Sequence, residues 1–210
     1  MKLSAFSYTN RGGRIHNEDS VRCRAGDQRG VFVVADGLGG HQCGEVASAL
    51  AADLLFDGCL QAEHLDGEAL TGLLRAANEQ ILARQSQPGQ EGMRTTAAVL
   101  TLEEGRAVWA HIGDSRMYHF SGGALASVTR DHSVTYRKYL GGEISYMDVY
   151  HDDDRSSLLR VLGKPGCQPE AGEGTVRPGD AFLLCSDGFW EYVYNEEMLL
   201  DLVKAESPEH

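Results

Sequence analysis

Four short acidic segments hold the side chains best suited to chemistry: Arg14-Ile15-His16-Asn17-Glu18-Asp19, Asp36-Gly37-Leu38-Gly39-Gly40, Gly113-Asp114-Ser115-Arg116 and Ser186-Asp187-Gly188. In three of them an apolar run ends on an Asp beside a Gly. Val31 to Ala35 precedes Asp36, Val108 to Ile112 precedes Gly113-Asp114, and Phe182 to Cys185 precedes Ser186-Asp187. A carboxylate at the end of a buried strand is rigidly aimed, and an adjacent Gly lets a backbone carbonyl approach whatever the carboxylate holds. Several such ends on neighbouring strands converge. Converging carboxylates repel and stay ionised only around a cation, and the matching cation is a hard, oxygen-seeking one such as Mg²⁺ or Mn²⁺. Two such ions about 4 Å apart hold and deprotonate a water and polarise a phosphoryl group for in-line attack. Arg14 adds a planar fork that fits two phosphate oxygens. The combination points to phosphate-ester hydrolysis.

Each piece alone has a plainer reading. Asp-Gly is a common turn dipeptide, Arg14 a solvated surface cation, Glu18-Asp19 a turn, and Asp114 a hairpin residue pairing locally with Arg116. The joint occurrence in this order, with an apolar strand before each Asp, favours a site. His41, His111, His132 and His151 have no ligand spacing and read as structural or exposed, and Asp152-Asp153-Asp154 reads as a solvated loop.

The elements that must position these residues follow from hydrophobic period. Leu3 to Thr9, Ser20 to Arg24 and Val31 to Ala35 read as strands, followed by helices over Val46 to Leu60 and Glu68 to Gln85. From Thr96 to Val128 the period returns to two, with turns at Glu103-Glu104-Gly105 and Gly122-Gly123, which predicts an antiparallel meander. Residues 131–158 are polar and irregular, the expected exposed and mobile subdomain. Glu173 to Val176 and Asp180 to Cys185 return to strand, and Glu196 to Ala205 predicts a helix. Strands gathered around a helix pair without regular alternation define an α+β fold, with sheets packed together and helices outside.

Composition narrows the class. The 210 residues suit one domain, and 42% hydrophobic with 24% charged residues is the balance of a folded chain. A formal charge of -12 disfavours extended nucleic-acid binding. Five widely spread Cys, none in a C-x-x-C pair, indicate neither a disulfide framework nor a zinc ribbon and fit a reducing cytoplasm. No stretch reads as a signal peptide or a membrane span.

On these motifs, with Thr95-Thr96-Ala97, Thr129-Arg130-Asp131-His132-Ser133 and Leu162-Gly163 between them, the sequence resembles the metal-dependent Ser/Thr protein phosphatases of the PP2C type, in their compact bacterial form. The resemblance covers almost the whole chain and implies a single domain over residues 1–210 with an αββα sandwich of two antiparallel sheets and a flap at about 133–158. It implies two core Mn²⁺ or Mg²⁺ ions with a weaker third. Asp36 would bridge the core pair, the Gly37 carbonyl and Asp187 would each bind one, and Asp114 with Asp187 would hold the third. Glu18 and Asp19 would hold the ions' waters, and Arg14 the substrate phosphate. Leu38 stands where many eukaryotic members carry a His proposed to protonate the leaving alcohol, so the proton must come from elsewhere. The family closes on an Asp-Asn motif in a final strand, whereas this chain ends at His210 on a predicted helix, so that ligand and strand are expected to be missing. The implied protein is a monomeric cytoplasmic enzyme that hydrolyses phosphoserine and phosphothreonine in proteins and opposes a Ser/Thr kinase, with no nucleic-acid or membrane partner. A catalytically silent phosphoprotein-binding or regulatory domain is the alternative, and a phosphatase of small phosphomonoesters a weaker one.

Overall fold

The computed structural model describes residues 2–27, 29–39, 43–205 and 207–209. The chain forms β1 (Asp19–Ala25), β2 (Arg29–Leu38), α1 (Gly44–Gln61), α2 (Gly67–Arg84), β3 (Arg94–Thr95), β4 (Ala97–Glu103), β5 (Arg106–Ile112), β6 (Arg116–Ser121), β7 (Ala124–Val128), α3 (Val134–Leu140), β8 (Glu170–Thr175), β9 (Ala181–Cys185), a one-turn α4 (Asp187–Trp190) and α5 (Asn195–Lys204). One sheet runs β1-β2-β4-β5-β8, with β3 extending β2's pairing; the other runs β7-β6-β9. All pairings are antiparallel.

Side-chain alternation explains the layering. Val31, Val33 and Ala35 of β2, Ala97 and Val99 of β4, and Val108, Ala110 and Ile112 of β5 face α1 and α2. The intervening Phe32, Leu100, Leu102, Ala107 and Trp109 face the second sheet, where they meet Phe182 and Leu184 of β9. Tyr118, Phe120, Leu183 and Cys185 point the other way, against Trp190 of α4 and Met198 and Leu199 of α5. A strand buried on both faces reads as a continuous apolar run, as β4 does. The result is helix, sheet, sheet, helix, the αββα sandwich of the α+β class. The five thiols are free, and no helix among the described residues is long and apolar enough to cross a membrane.

Four expectations fail. Leu3 to Thr9 forms no strand, because a strand needs a partner edge and none among the described residues pairs with it; Leu3 packs beside Phe32 and the Thr9 hydroxyl accepts from the Asn17 side-chain amide at 2.8 Å. The meander is broken at Gly113 to Ser115, where the chain leaves β5 in one sheet and enters β6 in the other. Residues 131–158 are not irregular throughout. Ser133 caps α3 by accepting from the Tyr136 amide, and a 3-10 turn over Met147–Tyr150 buries Val149 and Tyr150. Nor is the acidic run simply solvated: Lys138 of α3 binds Asp152 at 3.0 Å and Asp154 at 2.8 Å.

Leu100 lies between the two sheets and is 1% exposed. Truncating such a Leu costs about 2–5 kcal/mol, through lost transfer energy and the cavity left behind. Leu100→Ala is expected to lower the urea midpoint accordingly without changing the far-ultraviolet circular dichroism.

Candidate active site

Strand register builds the site. In the β1/β2 pair Asp19 lies directly opposite Asp36. In the β6/β9 pair Arg116 lies opposite Cys185, and Asp114 and Asp187 each stand two residues beyond that end of the pair. The two pairs meet between the sheets. Asp36 is within hydrogen-bonding reach of both Asp19 and Asp187, and Asp114 feels the charge of Asp187.

The backbone carrying Asp36 is clamped. Its carbonyl accepts from the Thr96 amide at 2.9 Å and the Thr95 hydroxyl at 2.8 Å, and its amide donates to Thr96 Oγ1 at 3.1 Å. Thr96 Oγ1 is 2.6 Å from Ser115 Oγ, which ties β2's end to the segment bearing Asp114. Gly37 and Gly44 are in contact at the start of α1, since a Cβ on Gly37 would lie 2.2 Å from the Gly44 carbonyl oxygen. The Glu18 carboxylate reaches the same place: a Cβ on Gly44 would lie 2.5 Å from its Oε2. An acid there is favoured by the N-terminal end of α1. Asp19 accepts from the Ser186 hydroxyl at 2.8 Å, a contact that joins β1 to the residue before Asp187.

Arg116 does not pair with Asp114. It is 1% exposed and makes a two-pronged bond to Asp131, at 2.8 and 2.6 Å. Its guanidinium lies 3.6 Å from the Trp190 ring centre and donates to the Tyr118 hydroxyl at 3.0 Å. Trp190 in turn donates to the Asp114 carbonyl at 2.9 Å. Asp131 was thus legible only as part of a motif, and Trp190 and Ser186 carried no signal of their own beside Asp187. Arg14 is exposed, in the turn before β1, and makes no ion pair among the described residues. Its charge reaches Glu191, which is held above the usual carboxylate range by burial first and Asp187 second, with Arg155, Arg116 and Arg14 opposing. Gly40 and His41 lie outside the described residues.

Electrostatics tests whether these acids suit a cation. Burial, then the charges of Asp187, Asp19 and Asp114, push Asp36 well above the carboxylate range. Burial, then Asp131 and Asp187, do the same to Asp114. Asp19 is raised by burial, with the Ser186 hydrogen bond opposing. No ion pair among the described residues includes Asp19, Asp36, Asp114 or Asp187. An all-oxygen donor set with uncompensated negative charge fits a hard divalent ion.

Fold and site together define a class, the α+β sandwiches in which two sheets deliver carboxylates to a common cation centre. The family model for protein phosphatase 2C matches residues 8–207. A serine/threonine phosphatase of Listeria monocytogenes is 34% identical over 199 residues, covering 90% of this chain and 79% of its own. The crystal structure of the Mycobacterium tuberculosis serine/threonine phosphatase PstP superposes with a TM-score of 0.81 at 32% identity, over 100% of this chain and 86% of that one. The catalytic domain of PstP in complex with two manganese ions gives 0.81 at 31% identity, over 100% and 85%. The chain belongs to the protein phosphatase 2C family.

A carboxylate whose folded-state pKa is raised favours folding below its unfolded value and loses that contribution as pH rises through the folded one. The metal-free protein is therefore expected to lose thermal stability as pH rises from about 4 towards neutrality. Asp36→Asn removes the most crowded charge. It is expected to stabilise the metal-free protein at pH 7, by on the order of 1–3 kcal/mol, the scale of a buried group without compensation, while abolishing activity. A melting series with and without Mn²⁺ checks both, and an Asp36→Asn protein less stable than the parent at pH 7 would contradict the repulsion.

Proposed function

We propose that this protein hydrolyses phosphoserine and phosphothreonine in proteins, with Asp36, the Gly37 carbonyl and Asp187 holding two core Mn²⁺ or Mg²⁺ ions and Asp114 with Asp187 a weaker third. The observation that carries the reading is the group of four acids, Asp114 buried and Asp19, Asp36 and Asp187 half-buried, that takes part in no ion pair among the described residues. When bound, the ions supply a nucleophilic water and neutralise charge on the phosphoryl oxygens.

The chain's own residues do the rest. Arg14, exposed and uncommitted to any ion pair among the described residues, offers its fork to the substrate phosphate and sets its orientation. Glu18 and Asp19, fixed by the contact of Glu18 with α1 and the Ser186 bond, orient the attacking water. Leu38 has no proton to give, so the leaving alcohol takes its proton from water in the site. The chain works as one phosphatase domain in which residues 133–158 border the site and select among protein substrates. We assign it to the cytoplasm as a monomer opposing a Ser/Thr kinase, a setting consistent with five free thiols and the named functions of its relatives.

Hydrolysis of a phosphothreonine peptide is expected to require Mn²⁺ or Mg²⁺ and to stop on chelation; full turnover after exhaustive metal removal would contradict the proposal. Arg14→Ala is expected to cost ~2 kcal/mol in kcat/KM, mainly through KM, as for a charge-assisted bidentate contact at a partly wet site. Arg14→Lys should restore only part, because an ammonium lacks the fork. Unchanged kinetics in Arg14→Ala would make this residue a surface cation only.

A further inference from the structure

Outside the acid centre, the most unusual group of titratable side chains is His111, His132 and Glu170, whose ligand atoms lie within 4.8 Å of one another. His111 and His132 are each over nine-tenths buried and stack with ring centres 4.7 Å apart and planes 14° from parallel. That geometry argues against a shared metal. Imidazole lone pairs lie in the ring plane, and two nearly parallel planes do not meet at one nearby ion. The Arg160 guanidinium also occupies the approach, 2.8 Å from Glu170 and 3.4 Å from His132 Nε2.

The hydrogen bonds assign the protons. The Gly113 amide can only donate, and it points at His132 Nδ1 at 3.2 Å, so Nδ1 carries a lone pair. A neutral imidazole has one lone pair, so with Nδ1 accepting at the shorter contact the proton is on Nε2, facing Glu170 Oε1 at 3.3 Å. The 3.4 Å approach of Arg160 Nη1 to Nε2, donor against donor, is a packing contact and not a hydrogen bond. The Arg130 carbonyl can only accept, so His111 carries its proton on Nε2. Its Nδ1 is buried without a partner among the described residues. Burial lowers both pKa values, His132 to about 4, so the stack is neutral and free of like-charge repulsion. The His132 amide donates back to the Gly113 carbonyl at 2.9 Å. Gly113 is thus held on both its backbone groups by one residue. It sits at φ +100°, where a Cβ would strike Thr96 Cβ at 2.6 Å, and it precedes Asp114.

We propose that His132 is a positioning residue for the phosphatase reaction: fixed as the Nε2–H tautomer by Glu170, it accepts the Gly113 amide and so sets the turn that presents Asp114. The proposal rests on the reading of Asp114 as a ligand of the third ion. A hydrogen-bonded partner that orients a ligand-bearing segment acts on metal affinity through geometry.

Two measurements on the full chain test it. Nitrogen-15 shifts of the His132 ring should show Nε2 protonated and Nδ1 bare; the opposite tautomer would overturn the proposal without any mutation. In His132→Asn the side-chain oxygen takes the place of Nδ1, whereas in His132→Gln it does not. Calorimetric Mn²⁺ isotherms and the Mn²⁺ concentration for half-maximal activity should weaken ~10-fold in His132→Gln and stay within about twofold of the parent in His132→Asn. Asp114→Asn serves as the reference. If it weakens Mn²⁺ binding and His132→Gln does not, the positioning role is wrong. If Asp114→Asn leaves the isotherm unchanged, the assignment of Asp114 fails, and the proposal with it.

Discussion

The structure depends on two strand registers that aim carboxylates at one another. Asp19 opposite Asp36 in one sheet, and Asp114 and Asp187 each two residues beyond the Arg116/Cys185 end of the other, place four acids where the sheets meet. A shift of one residue between β1 and β2 would turn an acid to the other face of its sheet. Register is therefore under two demands at once. The apolar alternation of Val31, Phe32 and Val33 must be satisfied on both faces of β2, and the same phase must bring Asp36 to the centre.

Such a centre opposes folding, so the surrounding structure must hold it. The means are neutral hydrogen bonds rather than counter-charges: Thr95 and Thr96 on the Asp36 backbone, the Ser115 hydroxyl on the Thr96 hydroxyl, and Trp190 on the Asp114 carbonyl. The nearest buried cation, Arg116, is committed to Asp131 and packed on Trp190. Arg116 opposes the rise of Asp114 only in part, behind burial and the charges of Asp131 and Asp187, which leaves negative charge for a cation. Fixing ligands through a second layer of contacts, instead of neutralising them, is what a metal centre needs.

Much of this was legible in the sequence because it is local. The apolar runs of β2, β4 and β5, the helical stripes of α1 and α2, and the Asp-Gly ends that carry Asp36 and Asp187 all announce themselves within a few residues. What escaped is decided at long range. Leu3 to Thr9 has strand composition but no partner among the described residues, and the switch of sheet at Gly113 is invisible to a periodicity that continues on both sides. Arg116 chose Asp131, fifteen residues on, over Asp114, two residues back. His111 and His132 have no ligand spacing, and their stacking arises only when β5 and the segment after β7 are brought together. The apparently irregular region after β7 hid a capped helix, α3, too short for its period to stand out.

The central claim is that the acids brought together by register form a divalent-cation centre. Anomalous diffraction at the manganese edge, from crystals of this protein grown with Mn²⁺, tests it most directly. Two strong peaks are expected with Asp36 between them, one beside the Gly37 carbonyl and one beside Asp187, and a weaker peak against Asp114. Peaks confined to other parts of the molecule, or none above background within ligand distance of Asp36, would contradict the account.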